Sequence, residues 1–375
     1  MWLARIALSV ATTLGVLRGI PVELEQTDVP PDAILMLSNA KDDLRALATE
    51  VLKSQPGNGP AIAPAVHKAM TDALEGNDGG SAEGYGGIDS IDVVAPAGHR
   101  NLLAVVVTLG IPCGSDSVLF LFRHDDRWRL VYERREDGYD SISGALGSFQ
   151  WLVSPPDEQG RFLVLTSSIT PWCTSVWHQM HYQVDRVEPG RADAVPIDSG
   201  EYTSHEWDVE LQIAPDRYAI RFSGSCFDPS YLVRSYELHY VLDGDQPVRV
   251  DPIADSPRDF VEEWLGLSDS DAQLRSTIDS ETFTELRSEV SSLGGQEEGF
   301  DEFGPVTRCS DGAWQVRIDH YAQAEDDEFV PWYFIVTGSN DSFRLSAIGH
   351  EPMASCAESS DTIQGANDDD RAAPD

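Results

Sequence analysis

Lysine is almost missing from this chain. Only Lys41, Lys53 and Lys68 occur among 26 basic side chains, and none follows residue 68. Against them stand 64 acidic side chains, for a formal net charge of −38 over 375 residues. A surface this acidic repels phosphate backbones and anionic headgroups, which argues against nucleic acid and membrane surfaces as partners. Past the first 20 residues no apolar run approaches the length of a bilayer span, so the mature chain is not expected to insert in a membrane. No CxxC pair and no Cys/His ligand spacing occurs, which argues against structural zinc. Nucleophile elbow, P-loop, dinucleotide fingerprint and HExxH are all absent, so no catalytic residues stand out.

What is present suffices for folded cores, since apolar residues make up 41% and aromatics 9% of the chain. At roughly 150 residues per domain the length predicts two or three domains. Residues 1–20 open with Met1-Trp2-Leu3-Ala4-Arg5 and run from Ile6 to Leu17 without a charge, the pattern of a secretory signal peptide. The expected localisation is secreted or periplasmic. There disulfides persist, and Cys309 with Cys356 is the first expected pair, leaving Cys113, Cys173 and Cys226.

Residues 21–87 read as an N-terminal helical segment and a Gly-rich linker. Pro30-Pro31-Asp32 opens a helix with Ile34, Leu37, Leu44, Leu47 and Val51 on one face, and Val66, Met70 and Leu74 mark a second. From residue 88 the period becomes strand-like and the chain repeats. Pro96, Pro156 and Pro215 stand 60 and 59 residues apart, and Cys113, Cys173 and Cys226 stand 60 and 53 apart. Each Pro-containing turn lies between two apolar strands, and each Cys loop is followed by an alternating one. The pattern predicts a mainly β fold in which residues 88–256 hold three four-stranded antiparallel meanders of about 60 residues. The arrangement resembles the blades of a β-propeller, or a stacked β-repeat, without any blade signature.

Residues 257–357 differ. Ser256-Pro257-Arg258-Asp259 is a helix start, Ser268 to Asp271 is a second, and Phe283, Leu286, Val290 and Leu293 mark another helix. Strands follow at about 305–308, 313–322, 330–337 and 343–349. Helices before a curved antiparallel sheet resemble the NTF2-like or cystatin-like α+β shape; a fourth β-repeat is the alternative. Residues 358–375 read as a disordered acidic tail.

Among candidate binding residues, Trp172 and Trp177 flank Cys173 in one repeat loop, and Trp151 lies in the same repeat. Exposed tryptophans stack on sugar rings or anchor protein partners, whereas buried ones plug gaps between repeats. His178 and His181 are three apart on a predicted strand and so point to opposite faces, which argues against a shared metal. The acidic turns Asp243-Gly244-Asp245, Asp269-Ser270-Asp271 and Glu325-Asp326-Asp327-Glu328 read as solvated, with calcium as the lesser alternative. The function these features favour is an exported binding or scaffold protein whose partner is a glycan, an envelope component or a protein. The alternative is an extracellular hydrolase of polysaccharide or peptidoglycan.

Asp supplies 39 of the acids, which with so little Lys suggests adaptation to high salt or a GC-rich genome. The Debye length falls from about 30 Å at 10 mM salt to about 3 Å at 1 M, which relieves self-repulsion. The Tm should therefore rise across that range. A flat or falling Tm would refute a salt-adapted surface, and chloride should be compared with an excluded anion.

Overall fold

The structure is a computed structural model. It describes residues 2–20, 29–55, 57, 60–75, 84–112, 114–135, 148–170, 177–228, 233–291, 293, 300–321, 328–357 and 362–363. Contacts divide the chain into two units, the first Met1–Ala219 with Val241–Val248, the second Ile220–Tyr240 with Arg249–Asp375. The fold is mainly β; the described residues form three antiparallel sheets and no closed barrel.

Helices α1 (Trp2–Arg18), α2 (Pro31–Ser54) and α3 (Ala63–Ala73) precede the meander β1 (Gly87–Val94), β2 (Leu102–Ile111), β3 (Gly114–His124) and β4 (Trp128–Arg135). The residues read as a secretory n- and h-region form α1, whose Val10, Leu14 and Leu17 are fully buried in the core shared with α2. Ser9 and Thr13 of α1 donate to Asp43 Oδ2 of α2 at 2.9 and 3.1 Å. Gly86 permits the close approach of α1: its φ is +81°, and a Cβ there would lie 2.7 Å from Leu17 Cβ. Among the described residues, no helix is long and apolar enough to cross a membrane.

Period-2 alternation explains why β2 and β3 read as unbroken apolar runs. Leu103, Val105, Val107, Val118, Phe120 and Phe122 face the helices. Leu102, Ala104, Val106, Leu119, Leu121 and Tyr132 face the opposite way, onto Val153, Phe162, Val164 and Val187. Those last four belong to β5 (Ser148–Val153), β6 (Phe162–Thr170) and β7 (His178–Val187). Both faces of the first sheet are thus covered, by helices and by strands, so neither face needs polar residues.

The second sheet continues with β8 (Val195–Ala214), β9 (Arg217–Ser225), β10 (Val233–Asp243) and β11 (Gln246–Val250), in the order β11-β10-β9-β8-β7-β6-β5. Here the structure differs from separate blades. The first half of the 20-residue β8 pairs with β7, from Val195↔Arg186 to Ser204↔His178, and its end turns into β9. One strand thus closes the second meander and opens the third.

The second unit also contains α4 (Pro257–Gly266), α5 (Asp269–Leu274), α6 (Ser280–Glu289), β12 (Phe300–Arg308), β13 (Trp314–Tyr321), β14 (Val330–Thr337), β15 (Arg344–Gly349), α7 (Ala354–Ala357) and β16 (Thr362–Ile363). The Ser256 side chain accepts from Asp259 N and Pro257 takes the first turn, so α4 starts where the sequence places it. Helices α4 and α6 pack on the sheet β15-β14-β13-β12-β16. Phe260, Trp264, Phe334, Val336 and Leu345 fill that interior, each at most 1% exposed. Cys309 and Cys356 are disulfide-bonded on the other face of the sheet, beside Ala313 and Ile335.

Candidate functional site

Along β7 the positions facing the first sheet change from Val187 to Asp185 to Gln183, and along β4 from Tyr132 to Arg134. Between the sheets, apolar filling gives way to a polar network. Tyr132 Oη donates to Asp185 Oδ2 at 2.8 Å. Gln183 Nε2 donates to both Asp185 oxygens, at 2.8 and 2.7 Å. The amide oxygen of Gln183 in turn accepts from Arg134 Nη1. These bonds orient the Gln183 amide and the Asp185 carboxylate.

Helix α2 adds a second group of charges. Arg45 donates to Glu133 Oε2 at 3.0 Å and to Asp42 Oδ1 at 2.9 Å. Arg135 donates to the same Asp42 oxygen at 2.5 Å and to Glu133 Oε1. Two guanidiniums and two carboxylates alternate in a closed ring that ties α2 to β4. Burial acts to lower the Arg135 pKa, and the bonds to Asp42 and Glu133 more than reverse it. Arg45, Glu133, Arg134, Arg135, Gln183 and Asp185 line a cavity of about 350 Å³. That lies within the range of small-ligand sites, about 300–1,000 Å³.

Of the residues expected from sequence to bind, Trp151 lies on the same sheet face as Gln183 but does not line the cavity. The register runs Trp151↔Thr166, Thr166↔Gln183 and Gln183↔Ser199, so Trp151 and Gln183 share one row and one sheet face. Two strand spacings, about 10 Å, separate them. The ring is half-buried and packs against the inter-sheet core. Trp177 is half-buried with its ring edge-on to His205, centroids 5.1 Å apart. It stands six residues before Gln183, about 20 Å of extended strand. Trp172, Cys113 and Cys173 lie outside the described residues, as do most of the linker, Glu325-Asp326-Asp327 and most of the tail.

Sequence reasoning did not find Arg45, Glu133, Arg134, Arg135, Gln183 or Asp185. A usable signal existed in β7, where Gln183 and Asp185 occupy alternate positions ending at Val187. Among the described residues, no three His, Cys, Asp or Glu side chains group to hold a metal ion. Asp245 is instead bound by Arg186, and Asp271 N is capped by Ser268.

The second unit holds the other dense polar constellation. Arg234, 8% exposed, pairs with Glu263 at 2.9 Å and Glu262 at 3.4 Å, and lies 3.8 Å over the Tyr236 ring. Cys226 Sγ donates to Glu262 Oε2 at 3.0 Å, and Phe227 N to Oε1 at 3.1 Å. Arg249 pairs with Glu263 at 3.2 Å. Converging carboxylates would suit hydrolysis, but Glu262 and Glu263 are 9% and 12% exposed and already hold these partners. The network therefore ties α4 to β10 and β11.

Burial raises the Glu262 carboxyl above the ordinary carboxylate range despite Arg234, and raises Asp259 despite Arg258. A carboxyl with a raised folded pKa binds more protons folded than unfolded. Its contribution to stability falls as pH rises from its ordinary value to its raised one. Glu262→Gln removes one such group. The difference between wild-type and variant unfolding free energies should thus carry a negative slope with pH just above 4. A difference independent of pH there would show that Glu262 titrates normally.

No family model matches the chain and no curated protein matches it. Solved structures give weak likenesses. A mannose phosphorylase from Leishmania mexicana in complex with phosphate is 11% identical, covering 75% of this chain and 77% of that one, with a TM-score of 0.23. A GDP-Man-dependent mannosyltransferase from the same organism is 12% identical over 65% and 64%, at 0.19. A xylan β-1,4-xylosidase from Bacillus halodurans C-125 is 10% identical over 74% and 59%, at 0.18. At these scores the likenesses carry no argument about fold or function.

Proposed function

We propose that the first unit is a glycan-binding module and that its site is the cleft between β4, β7 and α2. The observation that carries this reading is a 350 Å³ cavity lined wholly by polar side chains, in which Gln183 and Asp185 are held in place. Sugar hydroxyls donate and accept at once, and such a lining answers both roles. Trp151, on the same sheet face though outside the cavity, offers the apolar ring surface that the cleft lacks. The support for an exported protein is the Cys309–Cys356 disulfide, a bond that persists in oxidising compartments. The shared strand β8 favours a stacked β-repeat over separate propeller blades. Helices on one face of a meander are compatible with an NTF2-like or cystatin-like second unit, but its filled interior favours a packing role there.

A glycan array followed by calorimetry tests the reading. Gln183→Ala and Trp151→Ala should each weaken binding of the best glycan about tenfold, a loss near 1.4 kcal/mol, with the far-UV spectrum retained. Wild-type affinity in both variants would refute it. The alternative hydrolase reading would need a carboxylate pair, and Glu133 and Asp185 both line this cavity, each already held by the partners given above. Release of reducing sugar from the bound glycan, abolished in Glu133→Gln, would make the site a hydrolase.

A further inference from the structure

We infer that Asn340 is a modification site, the acceptor of an N-linked oligosaccharide. The inference rests on the reading of the chain as exported, because the donor is met only on the export route.

The first observation is the sequence. An amide nitrogen is a poor nucleophile, since its lone pair is drawn into the carbonyl. Its glycosylation needs a hydroxyl two residues on, in the pattern Asn-x-Ser or Asn-x-Thr with x other than Pro. The chain has six Asn, and the residue two further on is Lys41, Pro60, Gly79, Leu103, Ser342 and Asp369 in turn. Asn340-Asp341-Ser342 alone fits.

The second observation is placement. Residues 338–343 join β14 to β15 at a hairpin tip, between the paired Thr337 and Arg344. Ser342 N donates to Ser339 O at 2.8 Å, which closes a turn around Asn340 and Asp341. Gly338 permits the tight return: its φ is +95°, and a Cβ there would lie 2.5 Å from Ser342 O. Residues 338–342 are all exposed, and Phe343 then turns inward against Phe260, ring centroids 5.7 Å apart. The buried ring pins the base of the tip, so a glycan on Asn340 projects into solvent.

The third observation is that both side chains are uncommitted. Among the described residues neither the Asn340 amide nor the Ser342 hydroxyl has a hydrogen-bond partner. Asn101, by contrast, spends its Nδ2 on His124 O at 3.0 Å. Modification of Asn340 removes one N–H that the fold does not use. The donor class is an oligosaccharide on a lipid diphosphate. The Asn340 Nδ2 bonds to C1 of the first sugar as the bond from C1 to the diphosphate oxygen breaks. The lipid diphosphate leaves with that electron pair, and one amide proton passes to a base of the transferase.

The test is expression of the full chain in a mammalian cell line, with its own N-terminus and with a secretion signal placed before Met1. Both forms should reach the medium and lose the mass of one glycan on treatment with peptide N-glycosidase F. Asn340→Gln and Ser342→Ala should each abolish that loss, Ser342→Thr should keep it, and the Tm of unglycosylated Asn340→Gln should match that of the enzyme-treated wild type. A signal-directed chain that reaches the medium without a glycan would overturn the inference and leave the export reading standing. A glycan that persists in Asn340→Gln would overturn the assignment. If only the signal-directed chain is secreted, the export reading fails, and the inference falls with it because the native chain never meets a donor.

Discussion

Lys41→Met should destabilise the protein by about 3–5 kcal/mol. Lys41 Nζ on α2 lies 2.8 Å from Asp116 Oδ1 on β3, and the two side chains are 1% and 0% exposed. Asp116 is an even-numbered residue of β3, like Val118, Phe120 and Phe122, and so points into the helix-facing core. Removing the ammonium leaves a carboxylate there, with the desolvation of burial no longer offset by its partner. The same reasoning separates breaking the pair from replacing it. Lys41→Met combined with Asp116→Leu restores an apolar pair, so the double variant should regain most of the loss. Denaturant unfolding of the four members of this cycle measures the coupling. If Lys41→Met unfolds at the wild-type midpoint, or if the double variant is the least stable, the pair does not act as a buried ion pair.

The position of Lys41 shows what periodicity reveals and what it hides. Leu37, Leu44 and Ala48 are fully buried on α2, and Lys41 stands four residues after the first and three before the second. The stripe that identifies the helix also passes through this lysine. What the stripe does not give is the partner, because Asp116 is 75 residues away in a strand that begins polar. The helix starts were readable for the same local reason: a Ser with Pro and Asp behind it caps α4 wherever the rest of the chain goes. The junction at β8 was hidden. Its sequence from Val195 to Ala214 mixes Gly200 with polar residues and lacks an apolar run. Only the pairing with β7 makes its first half a strand. The cleft was hidden more deeply, since Arg45, Arg134 and Gln183 come from three elements. Each reads alone as a polar residue on a solvated face, and only packing of the first sheet on the second makes Gln183 and Asp185 inward.

Reducing the Cys309–Cys356 disulfide should cost the second unit about 4 kcal/mol, the chain-entropy value for a closed loop of 47 residues. The bond joins the end of β12 to α7. Around it, Ser310 N donates to Ser355 O at 2.9 Å, and Met353 N donates to Gln315 Oε1 at 2.8 Å. Without the covalent link these few bonds must hold α7 and the segment before it on the sheet. Unfolding with and without reductant, alongside Cys309→Ala/Cys356→Ala, measures the loss. An unchanged midpoint would show that packing among Ala313, Ile335 and Ala347 already holds the segment. The third described cysteine should not disturb the measurement. Burial, and then the negative charge of Glu262 beside it, push the Cys226 thiol far up. Exchange requires a thiolate, so at pH 8 a folded Cys226 stays protonated and does not attack the bond. Iodoacetamide should label Cys226 of the folded protein far more slowly than free cysteine, and at the ordinary rate once denaturant is added. Rapid labelling of the folded chain would remove the basis for treating Cys309–Cys356 as stable against reshuffling.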